Sequence, residues 1–163
     1  MKKPGIVIEI PGFGTREIHT VISDYTGTLS SGGKLGSGVR DKLLKLLDRV
    51  DIGIISSDSF GTAASELVGI VEPEILKTNR HDTEKRDYAT RFDLGNVAAF
   101  GNGNNDRLLL KAVKEGGGLA IAVDNGEGCA LDALLNSNLF IVGAVNALNL
   151  LLEPRSCKAT LRF

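Results

Sequence analysis

The chain has 163 residues, of which 42% are hydrophobic and 24% charged, with 19 Lys and Arg balanced by 20 Asp and Glu. This is a globular, nearly neutral composition, which excludes a disordered chain and a general electrostatic field for nucleic acid. The size fits a single domain, residues 1–163.

Aromatic residues are sparse and Trp is absent, so there is no stacking platform for single-stranded nucleic acid. Cys129 and Cys157 stand apart, with no CxxC pair and no His nearby, which argues against zinc and against a disulfide scaffold and fits a reducing compartment. Glu9 and Pro11 interrupt the apolar stretch behind Lys2 and Lys3, so no export signal is expected. The greasiest segment, Leu139 to Leu152, is short and contains Asn146 and Asn149, too polar to span a bilayer. A soluble, cytoplasmic protein with no nucleic-acid and no membrane partner is expected.

In chain order, Ile6 to Ile10 and Glu17 to Ser23 are β-rich and separated by Pro11-Gly12-Phe13-Gly14, which predicts a two-stranded opening with Gly12 and Gly14 in the turn. Val39 to Val50 has Leu and Val at helical spacing, with Lys and Asp on the other face. A buried strand at Ile52 to Ile55, a short helix at Phe60 to Val68, a short strand within Ile70 to Leu76 and a polar helix at Asp82 to Phe92 follow. Val97 to Phe100, Leu119 to Val123 and Leu139 to Val142 are further apolar strands, with helices near Asn105 to Lys114, Gly128 to Leu135 and Ala144 to Leu152. Only the tail from Glu153 to Phe163 lies outside the alternation.

Uniformly apolar strands that alternate with helices predict an α/β fold, a Rossmann-like open parallel sheet sandwiched by helices. Such sheets bind ligands beyond the carboxyl ends of their strands, where strand order reverses. The residues just after each strand are therefore the candidates. An apolar strand delivers Asp24 into the turn Tyr25-Thr26-Gly27-Thr28. Ser56-Ser57-Asp58-Ser59 follows the next strand and enters a helix, with Asp58 a candidate cap. Lys85 lies on the polar helix, with Lys77 as its rival. Gly101-Asn102-Gly103-Asn104-Asn105-Asp106 follows Val97 to Phe100. A carboxylate nucleophile, hydroxyls, an ammonium and hard oxygen ligands for Mg²⁺ are the parts that phosphoryl transfer requires.

In these four segments the sequence resembles the haloacid dehalogenase-like phosphohydrolase superfamily and, within it, the phosphorylation domain of P-type ATPases, whose signatures are DKTGT, TGDN with a following TA, a Lys, and GDGxND. The resemblance runs from about Val21 to Leu152. It implies that Asp24 is a nucleophile that becomes an aspartyl phosphate, and that Ser56 holds a phosphoryl oxygen. Lys85 then neutralises charge, and Gly27, Ser57 and Asn105 line the phosphate. Asp24, the Thr26 carbonyl, Asn102 and Asp106 would hold Mg²⁺.

The sequence departs from this pattern in three ways. Asn102 stands where the family's first acid of the last motif does, removing one negative charge from the metal site. Thr26 stands where soluble phosphatases carry a second Asp and cannot do acid–base work near neutral pH. Only a short segment separates Asp24 from Ser56, too little for a pump's nucleotide-binding domain, and Lys77 to Gly95 is too short for the other common cap. A capless, open site is implied. It would take a phosphorylated substrate and rely on a macromolecular substrate or a second copy of the chain in a homo-oligomer to exclude water. The alternative is a weakly catalytic module of the same fold that binds or regulates.

Overall fold

The computed structural model describes residues 2–163. Its centre is a six-stranded parallel sheet of β3 (Thr20–Ser23), β6 (Asp51–Ser56), β7 (Glu74–Ile75), β8 (Val97–Gly101), β9 (Leu119–Asp124) and β10 (Leu139–Val142), in the order β10-β9-β8-β3-β6-β7. Strand order reverses beside β3, with β6 on one side of it and β8 on the other. In an open parallel sheet this places the binding crevice at the carboxyl end of β3.

Helices cover both faces. One face packs Val21, Ile54, Phe100, Ile121 and Val123 against α1 (Val39–Leu47) and α6 (Ala144–Leu152). The other packs Ile22, Ile55, Ala99 and Ala120 against α4 (Arg107–Glu115), with α3 (His81–Ala89) lying on α4 and Ala133 of α5 (Leu131–Leu135) closing the layer. Two-sided burial explains why the central strands lack polar alternation: every residue of β3 and β8 is buried.

The segment Glu17 to Ser23, expected as one strand, is two. Gly14–Ile18 forms β2, antiparallel to β1 (Ile6–Ile10), and the sheet strand β3 starts at Thr20. The change comes at His19, whose N–H already donates to the Asn96 carbonyl and whose carbonyl accepts from the Asp51 N–H. β1 alternates buried and exposed residues, so the β1–β2 hairpin presents one face to the core and the other to water.

The expected helix at Phe60 to Val68 contracts to α2 (Ala63–Glu66), and the strand within Ile70 to Leu76 to β7. The tail forms a further helix, α7 (Arg155–Leu161), which packs on β1 and α6 and buries Cys157. A small antiparallel hairpin, β4 (Ser30–Ser31) with β5 (Lys34–Leu35), follows Asp24 and had no clear signal in the sequence.

Candidate active site

Asp24 is the first residue beyond β3, held there by its N–H to the Phe100 carbonyl on β8. The chain then turns tightly around the Tyr25 carbonyl, which accepts from the N–H groups of Thr28, Leu29 and Ser30 and from the Ser30 hydroxyl. Gly27 has φ +78°, and a Cβ there would lie 2.5 Å from Asn102 Nδ2, so turn and neighbouring loop both require glycine. The Tyr25 hydroxyl and the Thr62 hydroxyl both donate to the Gly33 carbonyl, fixing the β4–β5 hairpin against the entrance to α2.

Three buried charges meet at this point. Lys85 Nζ donates to Asp24 Oδ1 at 2.8 Å and to Asp106 Oδ1 at 2.7 Å, and lies 3.4 Å from Asn105 Oδ1. Lys85 and Asp106 are fully buried and Asp24 is 5% exposed. Lys85 occupies the inward face of α3 with Ala89, one turn on. Lys77 is exposed and lies outside this cluster; its main-chain N–H donates to Glu84 Oε2.

Burial pushes the Asp24 carboxyl from 3.8 up to about 6, and the negative charge of Asp106 adds to this; Lys85 opposes both. Burial alone would lower the Lys85 pKa, but Asp106 and Asp24 outweigh it, so the value is raised and the side chain stays an ammonium.

Asp106 does not present an open metal ligand. Its Oδ1 is held by Lys85, and its Oδ2 accepts from the N–H groups of Asn102 and Gly103 at 3.0 and 2.9 Å. In this structure Asp106, expected among the metal ligands, anchors Lys85 and the loop. Gly101 permits this return, because a Cβ there would lie 2.5 Å from Asp106 Cβ.

Asn102 is oriented by its neighbours. Its Nδ2 donates to the Gly128 carbonyl at 3.3 Å, which turns Oδ1 toward Thr28 Oγ1, 3.1 Å away. The same Thr28 hydroxyl lies 3.2 Å from Asp24 Oδ2, so two acceptor oxygens converge on a single donor hydrogen. Thr26 Oγ1 is buried without a hydrogen-bond partner. Oxygen donors in excess of the available hydrogens fit a hard divalent cation, and the Asp24 carboxylate, the Thr26 carbonyl and Asn102 Oδ1 are the oxygen types it takes. Among the described residues no three His, Cys, Asp or Glu side chains converge as a metal cluster, so this donor set is a mixed one.

A cavity of about 220 Å³ opens over these groups, lined by Asp24, Thr26, Ser57, Ser59, Asn102, Gly103, Asn105 and Glu127. The expected phosphate-lining residues Ser57 and Asn105 are thus in its wall. Ser56 lies beneath: it is fully buried and its Oγ accepts the Asp58 N–H at 2.9 Å. Asp58, at φ +52°, caps α2 through Oδ1, which accepts from the N–H groups of Thr62 and Ala63.

Thr28, though part of the Asp24 turn, had not been assigned a role, and Glu127 was missed. The signal for Glu127 is the rule already applied to the other strands: it lies in the segment Asn125 to Gly128 just after β9.

No protein-family model matches the chain. It is 41% identical over 66 residues to an uncharacterized protein of Methanocaldococcus jannaschii, a match covering 40% of this chain and 67% of that protein. Among solved structures it is similar to 3-deoxy-D-manno-octulosonate 8-phosphate phosphatase of Moraxella catarrhalis, a complex with magnesium, phosphate and the sugar acid, at TM-score 0.61 and 17% identity over 88% of this chain and 90% of that one. The cobalt-bound phosphatase of the same name from Haemophilus influenzae matches at TM-score 0.61 and 15% identity, over 90% and 94% of the two chains. A phosphatase of the haloalkanoate enzyme superfamily from Bacteroides thetaiotaomicron matches at TM-score 0.56 and 12% identity, over 81% and 94%. At these identities the likeness is one of fold alone: the chain has the fold of the haloacid dehalogenase-like hydrolases.

Proposed function

We propose that the protein is a phosphohydrolase that forms an aspartyl phosphate on Asp24 with Mg²⁺ as its cofactor. The observation that carries this reading is the buried carboxylate at the end of β3, clamped by the Lys85 ammonium and opening on a cavity rimmed by Ser57, Asn102 and Asn105. A structural ion pair needs no such opening.

In the proposed reaction the Asp24 carboxylate attacks phosphorus, the bond from phosphorus to the leaving oxygen breaks, and an acyl phosphate results. Water then attacks the phosphorus of that intermediate and frees Asp24 and inorganic phosphate. Lys85 faces the charge that develops on the transferred oxygens, and Asp106 keeps its ammonium aimed, since both Asp106 oxygens are already engaged. Ser57 and Asn105, both lining the cavity, offer further donors. A divalent cation held by Asp24, the Thr26 carbonyl and Asn102 would supply Lewis-acid neutralisation of the phosphoryl oxygens.

Thr26 has no proton to give near neutral pH, so the substrate must carry a leaving group that departs as the anion. Aryl phosphates and mixed anhydrides meet this requirement better than simple alkyl phosphates. Purified protein incubated with Mg²⁺ and 4-nitrophenyl phosphate should release nitrophenol, and trapping during turnover should place the phosphate on Asp24. A protein that binds Mg²⁺ and phosphate yet releases nothing would instead be a binding module of this fold.

A further inference from the structure

The loop from Asn125 to Ala130, between β9 and α5, is built into the rim of the cavity. Asp124 Oδ1 accepts from the N–H groups of Gly126 and Gly128, and Asn125 Oδ1 accepts from the Ala144 N–H. Asn102 grips the same loop: its carbonyl accepts from the Ala130 N–H at 2.7 Å and its Nδ2 donates to the Gly128 carbonyl. Glu127, next to Gly128, is thereby held against the cavity, where it is a lining residue alongside Asp24, Thr26 and Asn102. One oxygen, Oε2, accepts from the Gly32 N–H of the β4–β5 hairpin at 3.1 Å, and Oε1 has no partner among the described residues.

The charges make this placement significant. In the buried trio one ammonium faces two carboxylates, Asp24 and Asp106, and Asp106 is fully engaged. That leaves Asp24 as the only anionic ligand in the donor set already described, because Asn102 contributes a neutral amide. Hard cations bind more tightly as ligand charge rises. Glu127 is the one other carboxylate in the cavity wall.

Resting on the function proposed above, we infer that Glu127 supplies the second negative charge of the divalent-cation site, substituting from the loop after β9 for the charge that Asn102 lacks. It acts either on the ion or on a water of its hydration shell, and in both cases its contribution is its charge. The Gly32 contact makes the β4–β5 hairpin part of the same support.

The test separates charge from shape. Glu127→Gln keeps an acceptor for the Gly32 N–H and removes only the charge. Calorimetric titration of the metal-free protein with MgCl₂, with melting temperature followed in parallel, is expected to show Mg²⁺ affinity falling about tenfold in Glu127→Gln while the metal-free melting temperature is unchanged. Adding Asn102→Asp to Glu127→Gln should recover most of the loss, because the charge returns at the neighbouring position. Equal Mg²⁺ affinity for wild type and Glu127→Gln overturns the inference. So does a variant with unchanged affinity whose turnover loses one limb of its pH profile, since Glu127 would then be a proton-transfer group. Asp24→Asn serves as the control: if it abolishes Mg²⁺ binding and Glu127→Gln does not, only the role of Glu127 falls. If Asp24→Asn binds Mg²⁺ like wild type, the cation is elsewhere and the proposed mechanism falls with it.

Discussion

Lys85 and Asp106, 21 residues apart in the chain, meet at 2.7 Å with neither side chain exposed. This pair joins α3 to the loop after β8, and through Lys85 it sets where the Asp24 carboxylate lies. Removing the ammonium leaves two buried carboxylates without a counter-charge, a change that typically costs about 3–5 kcal/mol. Lys85→Met, which keeps the length of the chain, should therefore lower the denaturation midpoint strongly and abolish turnover. Lys77→Ala, at an exposed position, should change stability by no more than about 0.5 kcal/mol. The reverse pattern would move the active lysine to position 77.

Asp24→Asn should abolish release of nitrophenol and trapping of phosphate, because an amide is not a competent nucleophile. The fold should survive and gain stability near neutral pH, since the substitution removes a charge that burial and Asp106 both disfavour. Circular dichroism and turnover should thus move apart. Residual phosphatase activity in the purified variant at the wild-type rate would remove Asp24 from the mechanism.

The pH dependence of metal-free stability carries a definite sign. In the unfolded chain Asp24 ionises near 3.8 and in the fold near about 6, so between these values the folded protein holds the extra proton. The contribution of the protonated group is complete below about pH 4 and is lost as pH rises to about 6. Measured as the difference between wild type and Asp24→Asn in the presence of chelator, the wild type should lose ground across this window and remain level above it. A difference that grows in favour of the wild type with rising pH would show that Lys85 dominates over burial and Asp106.

Gly27→Ala places a methyl group 2.5 Å from Asn102 Nδ2, on a backbone at φ +78°. The left-handed conformation alone costs a non-glycine residue about 1–3 kcal/mol. Melting temperature should drop, and half-saturating Mg²⁺ should rise because Asn102 is displaced. A variant with reduced stability and unchanged Mg²⁺ dependence would separate the turn from the metal site.

Asn102→Asp adds an anionic oxygen next to the Thr28 hydroxyl and close to Asp24 Oδ2. Half-saturating Mg²⁺ should fall, and metal-free stability should fall too, because like charges then share a donor with no cation between them. Titrations of activity and of melting temperature with Mg²⁺ check both directions. Superimposable curves for the two proteins would show that this loop is only a turn and a helix cap.

Period and composition determined much of this protein. Uniformly apolar strands such as VAAF and LAIAV can be buried on both faces only in a parallel sheet with helices on each side, so the fold class follows from local pattern. The strand ends followed too, and with them the segments holding Asp24, Ser57, Asn102 and Asn105, because in such a sheet the residue after an apolar strand has one place to go.

The tertiary structure decided what depended on which face a side chain takes and which distant group it meets. Helix pattern alone would leave Lys85 in solvent, and only the motif resemblance singles it out; it is buried because α3 docks on α4 and two carboxylates lie beneath it. The sequence pattern does not show that the Asp106 oxygens meet Lys85 and main-chain N–H groups. Glu127 lies in a segment that follows an apolar strand, but an exposed Glu between glycines does not by itself distinguish a cavity residue from a surface turn. Its position beside Asp24 and Asn102 arises from hydrogen bonds that join the loop after β9 to Asn102 and to Gly32, contacts spanning distances in the chain that no local pattern encodes.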